Sequence, residues 1–374
     1  MALMSMTGCS TLGFLQSKHQ YAYVANSSNV SAYRINSSTG KLTPLPGSPF
    51  AAGILPSSVM ANPAGTFVYV ANSGSSNVSA YRINASNGTL TPVPGSPFNS
   101  GPFPASITFN PAGTFVYVAT GAPDEMTLGG GIVREGRIWA YCIDASSGAL
   151  TPVPGNPFAA GVLPSSLMVN PAGTFAYATN GFSDDVSAYR INSSTGELTP
   201  VPGSPFSAGI LPSSVTVNPA GTFVYVANSY SSNVSAYRIN ASTGALAEIP
   251  GSPFHTGKSP SSIAVNSTGT FVYVVNQFTG YAGQNGTIST YRINATNGAL
   301  TEIPGSPFTA GIEPASITIN PAGTLAYVAN QGNSGHDGSI SAYRINATTG
   351  VLTPVPGSPF TFGTKPASIT IVQP

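Results

Sequence analysis

Charge is what this sequence lacks most. Of its 374 residues, 12 are Lys or Arg and 11 are Asp or Glu, or 6% in all, against about a quarter in an ordinary soluble domain. The net charge is +1, so no basic field exists to draw in nucleic acid or anionic lipid, and nucleic-acid binding is excluded as a function class. Three histidines and two cysteines leave little material for a metal centre, and no His-x-His, Cys-x-x-Cys or acidic calcium-loop pattern occurs; neither a metal nor a cofactor is expected. No apolar run approaches the ~20 residues of a membrane-spanning helix. What remains is 41% hydrophobic residues, enough to fill a core, with 42 Gly and 34 Pro as punctuation.

Solubility then rests on Ser, Thr, Asn and Gly, a surface commoner outside the cell than in the cytosol. The expected location is extracytoplasmic, secreted or lipid-anchored. Residues 1–19 are read as an export segment, and Cys9, which follows Leu3-Met4-Ser5-Met6-Thr7-Gly8, is a candidate lipidation site of the bacterial lipoprotein kind. The basic start and the longer apolar stretch of a full signal are missing. A lipid on Cys9 is the one membrane attachment expected. Cys142 falls within a strand pattern and is expected to be a small buried hydrophobe.

Internal repetition organises everything else. Ala-Tyr-Arg-Ile-Asn or a close variant recurs with its tyrosine at Tyr33, Tyr81, Tyr141, Tyr189, Tyr237, Tyr291 and Tyr343. Gly-Ser-Pro-Phe, once Gly-Asn-Pro-Phe, ends at Phe50, Phe98, Phe158, Phe206, Phe254, Phe308 and Phe360. Tyr-Val-Ala-Asn or a variant begins at Tyr23, Tyr69, Tyr117, Tyr177, Tyr225, Tyr273 and Tyr327. Three independent markers each count seven.

One unit predicts four strands. Strand a (213–217) alternates polar and apolar, and Asn218-Pro219-Ala220-Gly221 supplies a tight turn. Strand b (222–227) is apolar on both faces, as a strand sandwiched between sheets must be. Strand c (234–239) is rich in β-formers. Strand d (246–254) carries prolines, which cannot donate to a ladder, so it belongs on an outer edge. That is a propeller blade. The chain opens on a strand b at 21–26 and closes on an isolated strand a at 366–372, so the two ends complete one blade. The predicted fold is an all-β seven-bladed propeller over 20–374. Its blades are 54–101, 102–161, 162–209, 210–257, 258–311 and 312–363, with a closing blade of 364–374 plus 20–53.

The Tyr-Val-Ala-Asn signature, Asn-Pro-Ala-Gly-Thr-Phe and the Thr-Gly-x-Leu turn resemble the lactonase-like seven-bladed propellers over nearly the whole chain from residue 20. That family includes 6-phosphogluconolactonase, a fungal carboxymuconate-cyclising enzyme and many surface proteins of unknown activity. The resemblance implies the propeller and, for its enzymes, His, Glu and Arg groups near the channel mouth. No local motif here matches those groups, so none is carried across.

Chemistry must be sought in what the repeat does not explain. Arg34, Arg82, Arg190, Arg238, Arg292 and Arg344 recur in strand c and are expected to serve the blades. The non-repeated ionisable residues fall in b–c and d–a loops, which emerge on one face of an antiparallel blade. Three b–c loops, 121–136, 278–286 and 331–338, are longer than the rest, and long loops on a rigid scaffold carry function. For lactone hydrolysis the candidate catalytic residues are His255 or His336 as base, Glu135 or Asp337 to orient it, and Arg134 and Arg137 as an anion clamp. Asp124, Glu125, Asp184, Asp185, Lys258, Glu313 and Lys365 are candidates for binding at the rim.

A serine recurs in every strand a, at Ser58, Ser106, Ser166, Ser214, Ser262, Ser316 and Ser368, and is expected to bond its own loop backbone. The many Asn-x-Ser/Thr sequons follow the repeat and read as turn chemistry. The favoured function is an exported binding module that takes a protein or carbohydrate-like ligand at the rim or channel mouth. A sugar-lactone hydrolase is the alternative, and a structural envelope component the third.

Overall fold

A computed structural model describes residues 19–121, 136–278, 284–333, 335, 337–361 and 365–374. Among them there is no helix, and the strands form seven separate antiparallel sheets. In the fourth blade strand a is Pro212–Val217, strand b Phe223–Asn228 and strand c Asn233–Ile239. Strand b is buried at every residue in that blade, whereas its strand c is buried except at its first and sixth residues.

Strand d departs from the expected continuous run. It is two short pieces, Leu246–Glu248 and Phe254–His255, both paired with strand c. Between them lies Pro250-Gly251-Ser252-Pro253, with a cis bond before Pro253, and the prolines bring no N–H to the ladder. Strand c is nonetheless satisfied there. The Ile249 amide donates to the Ala236 carbonyl (3.0 Å), and the Ala236 amide donates to Ser252 Oγ (3.0 Å). A side chain thus replaces the missing backbone acceptor. In the second blade Asn156 Oδ1 accepts from the Ala140 amide at 2.8 Å, which explains why Gly-Asn-Pro-Phe substitutes for Gly-Ser-Pro-Phe.

The ring closes as the termini require. Ser368–Val372 pairs antiparallel with Gln20–Ala25, from Tyr21 opposite Val372 to Ala25 opposite Ser368. No sheet edge is left open at that seam.

Neighbouring blades are tied by the repeated tyrosines. Each strand-b tyrosine donates its hydroxyl to the glycine carbonyl of the next blade's c–d turn: Tyr69 to Gly148 (2.8 Å), Tyr225 to Gly298 (2.9 Å) and, across the seam, Tyr327 to Gly40 (2.8 Å). Burial pushes these phenols far above their usual range, so they remain donors. The receiving glycine cannot be replaced. Gly148 has φ +82°, and a Cβ there would lie 2.4 Å from the Phe67 ring.

The strand-c arginines do the structural work expected of them. Arg238 lies 4.9 Å over the Phe223 ring and donates to the Thr296 carbonyl of the next blade at 2.8 Å. Arg190 and Arg292 repeat the pattern. Cys142 occupies this arginine position in the second blade and is exposed, which corrects the expectation of a buried hydrophobe. Strand parity decides it, because the residue before the last of strand c faces solvent in every blade. The sequon asparagines are also explained: Asn240 Oδ1 accepts from the Ser242 and Thr243 amides at 3.0 and 3.1 Å, an Asx turn.

Candidate rim site

Strand a lines the channel, and its serines do not behave as expected. Six of the seven accept from the neighbouring blade rather than from their own loop. Ser58 Oγ accepts from the Ile107 amide (3.3 Å), Ser166 Oγ from Val215 (3.2 Å) and Ser368 Oγ from Val59 across the seam (3.2 Å). The preceding residue adds a second tie where it is serine. Ser213 donates to the Pro260 carbonyl and Ser261 to that of Pro314, both at 2.7 Å. The serines therefore spend hydrogen-bonding capacity on holding the channel wall together.

On the face where b–c and d–a loops meet, five blades stitch the two loops together by a backbone bond. The residue before the strand-a proline turns its carbonyl toward the b–c loop. Leu55 thus accepts from Ser73 (2.9 Å), Phe103 from Gly121 (3.1 Å), Leu211 from Ser229 (2.8 Å) and Glu313 from Gln331 (2.9 Å). That geometry needs the left-handed region, and Leu55, Phe103, Leu163, Leu211, Ser259 and Glu313 have φ between 45° and 56°. Bulky residues are rare there. The position forms a ring around the channel mouth with two unlike halves: Leu, Phe, Leu and Leu in blades one to four, then Ser259, Glu313 and Lys365. Repeat alignment carries this signal in the residue before each strand-a proline, and the search for ionisable residues passed over it.

The candidates from sequence distribute as follows. His255 ends strand d of the fourth blade opposite Asn233, is exposed, and accepts the Tyr291 hydroxyl on its carbonyl at 2.5 Å. Lys258, three residues on, is exposed and opens strand a of the fifth blade. Glu313 is half-buried at the start of the sixth blade, and Asp337 and Lys365 are exposed. Arg137 is half-buried at the head of strand c in the second blade.

Asp184 and Asp185 serve the loops. Asp184 Oδ1 accepts from the Leu211 amide of the next blade at 2.8 Å. Asp185 accepts from Asn180 Nδ2 at 2.6 Å. Desolvation raises the Asp185 pKa, the Asn180 bond opposes that, and the neighbouring Asp184 charge adds to it. Asp124, Glu125, Arg134, Glu135, His336 and Cys9 lie outside the described residues. Among the described residues, no group of three His, Cys, Asp or Glu side chains is placed to hold a metal ion, and no helix is long and apolar enough to cross a membrane.

The second blade departs from the repeat beneath its long loop. In the other blades a buried asparagine at or near the end of strand b binds a strand-c serine, as Asn72 Nδ2 binds Asn77 Oδ1 (2.8 Å) and Ser79 Oγ (2.9 Å). Here Thr120 and Trp139 take those positions. Thr120 turns its hydroxyl to the Arg137 carbonyl at 3.1 Å. The Trp139 ring packs against Gly101, with its buried Nε1 unpartnered.

Comparison with known proteins places the architecture. The sequence profile of the family "Lactonase, 7-bladed beta-propeller" matches residues 13–128, 92–205, 145–254 and 246–364. Among curated proteins, nothing matches. A crystal structure of a Bacteroides uniformis protein assigned as a 6-phosphogluconolactonase is similar, with a TM-score of 0.78 and 19% identity over 95% of this chain and 100% of that one. A Bacteroides fragilis protein of the same assignment gives 0.77 and 22% over 96% and 99%. The periplasmic gluconolactonase of Pseudomonas aeruginosa gives 0.75 and 17% over 95% and 100%. At these identities the likeness is one of fold.

Proposed function

Because this chain belongs to the seven-bladed lactonase β-propeller family, we propose that it is a lactone hydrolase of the 6-phosphogluconolactonase type, acting on a sugar lactone at the channel mouth. The observation that carries the reading is the family match, which runs from residue 13 to residue 364. The polar half of the mouth supports it, since the exposed His255 and Lys258 share one connection there. Hydrolysis needs a base that takes a proton from water as its oxygen attacks the lactone carbonyl, and a donor for the oxyanion. The tetrahedral intermediate then expels the ring oxygen, which is protonated to give the open hydroxy acid. His255 or His336 is the base in this reading. Lys258, Lys365 and Arg137 are the described cations on this face, and an anionic substrate would be met by them.

A non-catalytic binding module is the second reading, and a specific observation favours it. The described ionisable side chains of the rim are few and stand on different blades, while the other half of the mouth is apolar. Export, with Cys9 lipidated, belongs to either reading. Cys9→Ser should then release a membrane-associated product into the soluble fraction, and a wild-type protein found soluble with an unmodified Cys9 would end that part of the proposal. For the enzyme reading the test is ring opening of glucono-1,5-lactone and its 6-phosphate. Lys258→Ala is expected to raise KM for the phosphorylated substrate more than for the neutral one. Equal effects on both would remove Lys258 from the site.

A further inference from the structure

The large apolar side chains on blades one to four supply no base, oxyanion donor or cation to lactone chemistry, and solubility does not call for them. At Leu55, Phe103 and Leu163 the backbone is left-handed, where glycine is free of strain and Asn or Asp the next best tolerated. The chain instead presents large apolar side chains there, with Leu55 56% and Phe103 55% exposed. Phe182, Ile210 and Tyr230 extend the surface outward on the same face, Tyr230 at 73% exposed.

The arc is continuous from the second blade to the third. A Cβ on Gly121 would sit 3.7 Å from Phe103 Cβ and 3.4 Å from Leu163 Cδ1, and one on Gly181 3.7 Å from Leu163 Cδ2. The aromatic side chains Phe103, Phe182 and Tyr230 carry about 150–250 Å² each, and the smaller Leu55, Leu163 and Ile210 carry less. At the observed exposures the six leave on the order of 500 Å² of largely apolar surface, in the upper part of the range of about 300–600 Å² found for the largest, often functional, patch on a monomer. A standard interface takes roughly 800 Å² from each partner, an apolar centre within a polar rim, and the arc is large enough to be that centre.

We propose that this arc is the interface between two copies of the chain, packed face to face about a two-fold axis. Such a contact sets each surface against itself, so a heavily charged face would repel its copy. Among the described residues of the arc, charge is sparse. The described d–a loops of blades one to four carry no charged side chain ahead of His255. Asp184 and Asp185 are turned into hydrogen bonds within their own subunit. Arg137 is half-buried at the head of strand c in the second blade, and the other described charges of the mouth, on Lys258, Glu313, Asp337 and Lys365, stand on the other blades, at the border of the contact. The inference is independent of the lactonase reading, since it uses none of the residues assigned to catalysis.

Sedimentation equilibrium of the full chain tests it, with wild type compared with the double variant Leu55→Asp/Phe103→Asp. Aspartate suits the left-handed backbone better than Leu or Phe, so the variant is expected to melt no lower than wild type. It sets like charges opposite one another in the dimer. The expected result is a wild-type dimer whose dissociation constant rises at least about 30-fold in the variant, with Tyr230→Asp acting in the same direction. A wild-type chain that stays monomeric overturns the proposal, as does a dimer indifferent to these changes. Monomeric wild type that sediments with phosphatidylcholine vesicles would overturn it in favour of a lipid surface.

Discussion

Replacing Tyr225 by Phe removes one oxygen atom and nothing else from the boundary between the fourth and fifth blades. Its hydroxyl donates to the Gly298 carbonyl at 2.9 Å, and the ring is fully buried. The variant leaves that carbonyl without its donor, away from water. An unmade buried hydrogen bond costs about 1–3 kcal/mol, more than the ~1 kcal/mol net worth of the bond itself. A chain of 374 residues unfolds with an entropy near 0.8 kcal/mol per kelvin at about 2.1 cal/mol/K per residue, so the melting temperature should fall by about 1–4 °C. Denaturant titration resolves the change better, as a lower midpoint at unchanged slope. Tyr327→Phe is the companion, because Tyr327 makes the same bond to Gly40 across the seam. Its cost should match that of Tyr225→Phe. Two neutral substitutions would refute the claim that these hydroxyls bind the blades, and a neutral Tyr327→Phe alone would refute the closure at that boundary.

Two further outcomes follow from named contacts. Asp144 holds the Ser146 hydroxyl and amide and the Ser147 amide at 2.6, 2.9 and 2.8 Å, which lowers its pKa to about 2. A carboxyl depressed in the folded state adds stability above its usual value of 3.8, and that contribution is lost as pH falls through about 2. Asp144→Asn, matching the asparagine of the other c–d turns, should melt like wild type near pH 6 and lose less than wild type between pH 4 and 2; parallel melting curves would contradict this. Deleting residues 366–374 removes the strand paired with Gln20–Ala25 and exposes an apolar edge, so aggregation or a large loss of stability is expected. A truncated protein that stays dispersed and melts normally would count against ring closure.

The fold was legible because its determinants are local and written seven times. Strand b is apolar at successive positions, the c–d and a–b turns are spelled in Asn, Gly and Pro, and the unpaired strands at the two ends complement each other. What escaped reading depends on register between blades. Ser58 and Ile107 are 49 residues apart, and no pattern within one repeat says that the hydroxyl crosses to the next strand a. The break in strand d was foreshadowed by its prolines, but the Ser252 hydroxyl standing in for a backbone acceptor was not. Cys142 could have been placed outward from the start, since it holds the position of a solvent-facing arginine.

The candidate site was legible as a face, because loop class follows from strand order. It was not legible as a set of converging groups, because that depends on loop geometry. Asp184 shows why: what reads as a rim ligand in sequence is, in three dimensions, the acceptor for the Leu211 amide. The apolar half of the mouth was missed because uncharged residues do not stand out in a chain searched for chemistry.

The functional account rests on turnover, and one measurement reaches it directly. Purified protein is mixed with glucono-1,5-lactone and acid release is followed by pH-stat titration against spontaneous ring opening. The account predicts saturable, enzyme-dependent hydrolysis that falls by about 10²–10⁴-fold, the usual worth of a general base, in either His255→Ala or His336→Ala while the melting temperature holds. Acid release at the spontaneous rate at every protein concentration would contradict it, as would turnover that survives both substitutions.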